Sequence, residues 1–141
     1  KFDVLQNGDL PMVYAGVKAS ERRKRALEAI ERVGLAHRIH NNPLQLSGGQ
    51  CQRVAIARAL VNNPKIIFAD EPTGNLDSST GESILSLFRE LSESGRTIVI
   101  VTHDNNIAAR LPRRIEIRDG RVRQHAEAPV TAPIGEGGSR P

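Results

Sequence analysis

Two short apolar runs, separated by a stretch of helical periodicity, restrict the fold of this chain more than any other feature. Ile66-Ile67-Phe68-Ala69 and Thr97-Ile98-Val99-Ile100-Val101 lack polar alternation, the pattern of short strands buried on both faces. Each run ends abruptly in polar residues, Asp70-Glu71 after the first and Thr102-His103-Asp104 after the second. Between them, Asp77 or Ser79 can cap a helix whose apolar line is Ile84, Leu87, Phe88 and Leu91, and Gly95 can stop it. Strand, helix, strand implies a parallel pair with a right-handed crossover, so the fold class is α/β. Ligands of open parallel sheets gather beyond the carboxyl ends of the strands, so the two polar clusters are expected to be neighbours at one functional edge.

The flanking segments add helices upstream and a hairpin downstream. Ser20 is a candidate N-cap for a helix through "ERRKRALEAIERVG", with Ala26, Leu27, Ile30 and Val33 on one face and Gly34 as its stop. His37 and His40, in the polar loop that follows, have the i, i+3 spacing of a metal pair, but no third ligand lies nearby, which favours a solvent-facing loop. "CQRVAIARALVNN" then repeats apolar residues at helical spacing, with Val54, Ala57 and Val61 on one line and Ile56 and Leu60 beside it. "RIEIRDGRVRQ" alternates apolar and charged residues around Asp119-Gly120, the signal of a tight hairpin. From Ala126 onward the chain is rich in Pro, Gly and Ala without periodicity, the composition of a disordered tail or linker.

Composition narrows the functional classes. At 141 residues and 38% hydrophobic content the chain is one domain long, with material for one modest core. No apolar run is long enough to span a bilayer. A single cysteine, Cys51, excludes an internal disulfide and fits a reducing compartment, with the cytosol as default. The net charge of +4 suits a phosphate ligand, anionic lipid or nucleic acid, and equally an ordinary solvated surface. With aromatics at 3%, little is available for stacking on single-stranded nucleic acid, which is a poor first choice of partner.

The strand ends carry the candidate chemistry. A carboxylate in the position of Asp70 suits a magnesium ion that also binds substrate phosphates, since Mg²⁺ takes oxygen ligands and keeps several waters. Glu71, one residue on, can point elsewhere and polarise an attacking water. The plainer alternative is that both residues begin a solvated turn before Pro72. Ser47 and Gln50 match the S-x-x-Q capping box, so a helix is expected to start there with its free N–H groups and positive dipole end outward. Gly48 and Gly49, lacking side chains, would let a phosphate oxygen approach those N–H groups. A capped helix preceded by a flexible turn explains the same glycines.

Order and spacing join these pieces. "LSGGQ" opening a helix, then "IIFADEPTGNLD", then "IVIVTHD" resembles the ATP-binding cassette (ABC) transporter ATPases, over a match from about Leu10 to Val122. The resemblance implies a P-loop NTPase-like parallel sheet, as part of a domain, with a helical signature subdomain. It divides the chain into residues 1–62, the helical subdomain ending in the signature helix; 63–125, the C-terminal part of the ATPase core with Walker B strand, D-loop, switch histidine and terminal hairpin; and the tail, 126–141. It further implies that Glu71 and His103 act in catalysis, that Asp70 holds Mg²⁺ through water, and that Ser47, Gly48, Gly49 and Gln50 address the γ-phosphate of ATP held by a second subunit. Asp77 would lie across the dimer interface. The implied partners are a transmembrane permease and a second ATPase subunit, at the cytoplasmic face of the bacterial inner membrane. "ADEPTGNLDSSTGE" and "LPMVYAGVKASERRKRA" look most like the subgroup serving macrolide export and lipoprotein release.

The departures are as informative. No G-x-x-x-x-G-K-[ST] loop occurs in the chain, and "AGVKAS" has one glycine before its lysine and fails the spacing. The family's adenine-stacking aromatic and Q-loop glutamine would also lie upstream of the match. Cys51 stands where glutamine is frequent, and Gly8 where a larger apolar residue is usual. The expectation is therefore a piece of an ATPase that is inactive alone; the alternative is a truncated interaction module that binds a permease or dimer partner without hydrolysing ATP.

Overall fold

The computed structural model describes residues 2–127, which form two compact units dividing after Val101. The first unit holds α1 (Val4–Tyr14), α2 (Ala19–Arg32), two single 3₁₀ turns (Ala36–Arg38 and Pro43–Gln45), α3 (Gly48–Leu60), β1 (Ile66–Asp70), α4 (Ser78–Glu93) and β2 (Thr97–Val101). The second holds α5 (Asn105–Ala109) and the strands β3 (Arg113–Arg118) and β4 (Arg121–Glu127). The boundary expected at residues 62/63 falls inside the first unit.

β1 and β2 pair in parallel from Ile66↔Thr97 to Asp70↔Val101, connected through α4 as the strand–helix–strand pattern requires. Asp77 is the N-cap of α4, and Ile84, Leu87, Phe88 and Leu91 are all buried, so its predicted apolar line is the real one. Gly95 follows the helix with φ +92, a conformation that suits a residue without Cβ. One core runs through α1 to α4 and β1, with Met12, Ile30, Leu35, Ile84 and Leu91 among its fully enclosed side chains.

Several expectations need correction. β1 is buried on one face only: Ile67 and Ala69 face the core, while Ile66 and Phe68 are 52% and 75% exposed. A continuous apolar run specifies two faces fit for burial, but the described residues cover only one of them. α2 starts two residues earlier than expected; Lys18 is its N-cap without a side-chain hydrogen bond, which puts Ser20 inside the first turn. Leu27 lies 36% exposed, outside the stripe of Ala26, Ile30 and Val33. α1, within the segment expected to be helical, forms although Gly8 and Pro11 weaken the helical pattern of its sequence. Its start is fixed by Asp3 and Gln6, whose side chains cap one another's backbone N–H groups at 2.7 and 3.0 Å.

In the second unit, β3 and β4 form an antiparallel hairpin around Asp119 and Gly120, both with positive φ, as a two-residue turn of this kind demands. The register shifts between Glu116 and Ile117. Ala126 and Glu127, expected to begin the tail, instead end β4 by pairing with Arg114 and Arg113. The remaining tail, 128–141, lies outside the described residues.

Candidate functional site

The parallel pairing places the carboxylates at a defined edge. Asp70 is the last residue of β1, opposite Val101, and the Glu71 N–H donates to the Val101 carbonyl at 2.8 Å, carrying the ladder one step past the strand. The chain then turns sharply. Glu71 has φ +42, a left-handed conformation that costs a non-glycine residue about 1–3 kcal/mol and concentrates at functional sites. The turn closes where the Gly74 N–H donates to the Glu71 carbonyl at 3.2 Å. Gly74 packs against Glu71 in this turn, where a Cβ would lie in ordinary contact at 3.8 Å from Glu71 Oε2. The Asp70 side chain is exposed, and Glu71, one residue past the strand, is half-buried.

The donor set fits magnesium in a limited way. No group of three or more His, Cys, Asp or Glu side chains that could hold a metal occurs among the described residues, His37 and His40 included. Asp70 alone offers one exposed carboxylate, which suits a cation that draws its remaining ligands from phosphate oxygens and water.

The first turn of α3 is built as its sequence indicated. The Ser47 N–H donates to Gln50 Oε1 at 3.0 Å, and the Gln50 N–H donates to Ser47 Oγ at 3.3 Å, a complete capping box. Ser47 and Gly48 are exposed, which leaves the start of the helix accessible. The second glycine has a different use. Gly49 is buried, and a Cβ there would collide with the Thr80 methyl group; one at Gly48 would come 3.3 Å from Leu76 Cδ2. Both glycines therefore allow close packing against the loop before α4 and its first turn. Neither the contact of Gly48 with Leu76 nor that of Gly49 with Thr80 has a local signature in the sequence.

Asp77 is fully engaged as a cap. Its carboxylate accepts from the Thr80 hydroxyl, the Ser79 hydroxyl at 2.7 Å and the Thr80 N–H at 3.0 Å, and these hydrogen bonds hold it well below the usual carboxylate range. The structure thus brings Ser47, Gly48, Gly49 and Gln50 beside the segment from Leu76 to Thr80, and Asp70 and Glu71 to the end of β2. His103 falls in the second unit, exposed between Thr102 and Asp104. There the Asp104 N–H donates to Thr102 Oγ1 at 3.1 Å, and Asp104 caps α5 by accepting from the Asn106 N–H at 2.8 Å. No helix among the described residues is long and apolar enough to cross a membrane.

Comparison with known proteins identifies the family and the fold. The ABC transporter family model matches residues 2–74. An uncharacterized ABC transporter ATP-binding protein of Thermotoga maritima is 57% identical over 122 residues, 86% of this chain and 52% of that protein. The macrolide export ATP-binding/permease protein MacB of Hyphomonas neptunium is 55% identical over 117 residues, 83% of this chain and 18% of that protein. Among solved structures, the dimeric ATP-binding cassette MJ0796, in a post-hydrolysis state bound to ADP and Pi, matches with a TM-score of 0.74 and 47% identity, covering 89% of this chain and 56% of that one. The chain thus spans about half the length of an ATP-binding protein or cassette it resembles. Its parallel α/β unit is part of a P-loop NTPase-like fold, and the chain belongs to the ABC transporter ATP-binding family.

Proposed function

We propose that the chain is the signature- and Walker B-bearing part of an ABC ATPase that, in the whole protein, couples ATP hydrolysis to export or lipoprotein release through a permease. The observation that carries this reading is the left-handed Glu71 just past the end of β1, its N–H hydrogen-bonded to the Val101 carbonyl. In that role the Glu71 carboxylate orients the attacking water and accepts its proton, while His103 contacts the γ-phosphate. Asp70 would hold Mg²⁺ through water; the ion, when bound, neutralises charge on the phosphate oxygens.

Ser47, Gly48 and Gln50 contribute from outside the chain's own nucleotide. The exposed first turn of α3 presents N–H donors and the positive end of a helix of 13 residues, suited to the γ-phosphate of ATP held by a second subunit. Gly49 serves this turn through its packing on Thr80, and Asp77 supports the dimer interface from the adjacent cap. Donors that arrive only on dimerisation gate a reaction that depends on positioning and on charge stabilisation. A permease, separate or fused, and a location at the cytoplasmic face of the inner membrane complete the proposal. The segmentation into 1–62, 63–125 and a tail is retained as a functional division, distinct from the two compact units. The decisive experiment is Glu71→Gln in the whole ATPase: ATP binding persists and turnover disappears. Wild-type hydrolysis by this variant would remove Glu71 from its role.

A further inference from the structure

Arg53 lies one turn beyond the capping box of α3, and nothing in the proposed chemistry uses it. Its guanidinium spans three helices. Nη1 donates to the carbonyl of Val33, the C-cap residue of α2, at 2.8 Å, and Nη2 donates to Ser83 Oγ on α4 at 2.6 Å. The Val33 carbonyl is among the last of α2, which the helix cannot satisfy internally, so the arginine supplies a donor where the backbone lacks one. Gly34 turns the chain away from α2 at φ +74, beside the guanidinium, where a Cβ would lie in ordinary contact at 3.8 Å from Nη1.

The contact with α4 extends one already described. Gly49 and Arg53 are separated by four residues on α3, while Thr80 and Ser83 are separated by three on α4, so each pair lies along one face of its helix. The first pair fixes how closely the two helices approach, and the second fixes their relative position along that line. A planar guanidinium with two directed donors resists sliding and rotation in a way that an apolar contact does not.

We propose that Arg53 is a positioning residue that sets the first turn of α3, with Ser47 to Gln50, relative to the capped start of α4 and the end of α2. It touches no substrate. Displacement of α2 would reach the turn from Ser47 to Gln50 through this side chain as well as through the core the two helices share, and its removal would leave that turn formed but more readily opened. The catalytic part of this inference rests on the proposed function; the structural part does not.

Two measurements separate them. In the chain itself, Arg53→Met is expected to raise amide hydrogen exchange at Gln50 and Cys51, whose N–H groups donate to Ser47 Oγ and to the Ser47 carbonyl, at least severalfold while exchange in β1 and β2 stays unchanged, with Arg53→Lys intermediate and Ser83→Ala showing a smaller rise. Unchanged exchange at these two amides in a folded Arg53→Met chain, or a uniform rise across the whole unit, overturns the proposal. If Arg53→Met does not fold, Ser83→Ala and Arg53→Lys decide it by the same criterion. In the whole ATPase, Arg53→Met is expected to lower kcat about ten- to a hundredfold, as misplacement of a donor does, with KM for ATP little changed and partial rescue by lysine. Wild-type kcat, or equal losses in the lysine and methionine variants, overturns the positioning role. Glu71→Gln is the control: if that variant still turns over, the proposed function fails, while the exchange result stands or falls on its own.

Discussion

The Thr80 methyl group occupies the space that a side chain at Gly49 would need. The second glycine of the LSGGQ turn is therefore a packing residue as well as part of a helix start. Gly49→Ala is expected to destabilise the chain by about 1–3 kcal/mol, the usual cost of forcing an atom into a filled interface. Thr80→Ser removes the methyl and keeps the hydroxyl that Asp77 accepts from, so the double variant should recover most of the loss. Urea unfolding of the four proteins in this cycle checks it, and additivity of the two substitutions would refute the collision.

Asp77 makes the start of α4 sensitive to acid. Its carboxyl is held below the ordinary range by the Thr80 and Ser79 hydroxyls and the Thr80 N–H, so the folded state favours its charged form. The resulting stabilisation is fully present above the unfolded-state value near ~3.9 and is lost as pH falls through the lower folded value. The difference in melting temperature between wild type and Asp77→Asn should be constant from neutral pH to about 5 and shrink below about 4. A difference that grows on acidification would contradict the assignment.

Truncation should cost far more on the buried line of α4 than on the open face of β1. Ile84, with no exposed surface, is expected to cost about 2–5 kcal/mol when replaced by alanine. Ile66, half exposed on the open face of the strand, should cost within about 0.5 kcal/mol. Equal losses at the two positions would mean that the open face is covered in solution.

The chain contains no G-x-x-x-x-G-K-[ST] sequence, whose backbone amides and lysine would cradle the phosphates. The 141-residue chain alone should therefore show no specific, saturable binding of Mg-ATP by calorimetry. Tight binding would require a phosphate site built from other residues.

Much of the fold was legible because its signals are local. The Ser47–Gln50 box, the Asp77 cap, Gly34 and Gly95 as stops and the Asp119-Gly120 turn each act within a few residues, and each stands where its chemistry placed it. α1 carried an equally local signal, the Asp3–Gln6 box, which Gly8 and Pro11 obscured. Gly8 is tolerated because it lets α1 approach Ala26 and Ile30 of α2, where a Cβ would sit 3.3 Å from Ile30 Cδ1. Long-range relations left no trace in the sequence. Neither the collision at Thr80, nor the reach of Arg53 to Val33 and Ser83, nor the bare face of β1 follows from periodicity. The candidate site was legible as motifs, with Asp70 and Glu71 fixed by the strand end; the left-handed turn at Glu71 required coordinates.

The half-covered sheet bears on how this chain behaves at high concentration. Ile66 to Ala69 and Thr97 to Val101 are uncharged, free of proline and rich in β-branched residues, and neither strand has a partner on its outer edge among the described residues. Such segments template cross-β growth between molecules when an edge and an apolar face are open together. The charges that interrupt them, Lys65 and Asp70 around one run and Arg96 before the other, act as gatekeepers against fibril assembly. Neutralising those three residues would shorten the solution lifetime of the chain far more than the same change elsewhere on its surface.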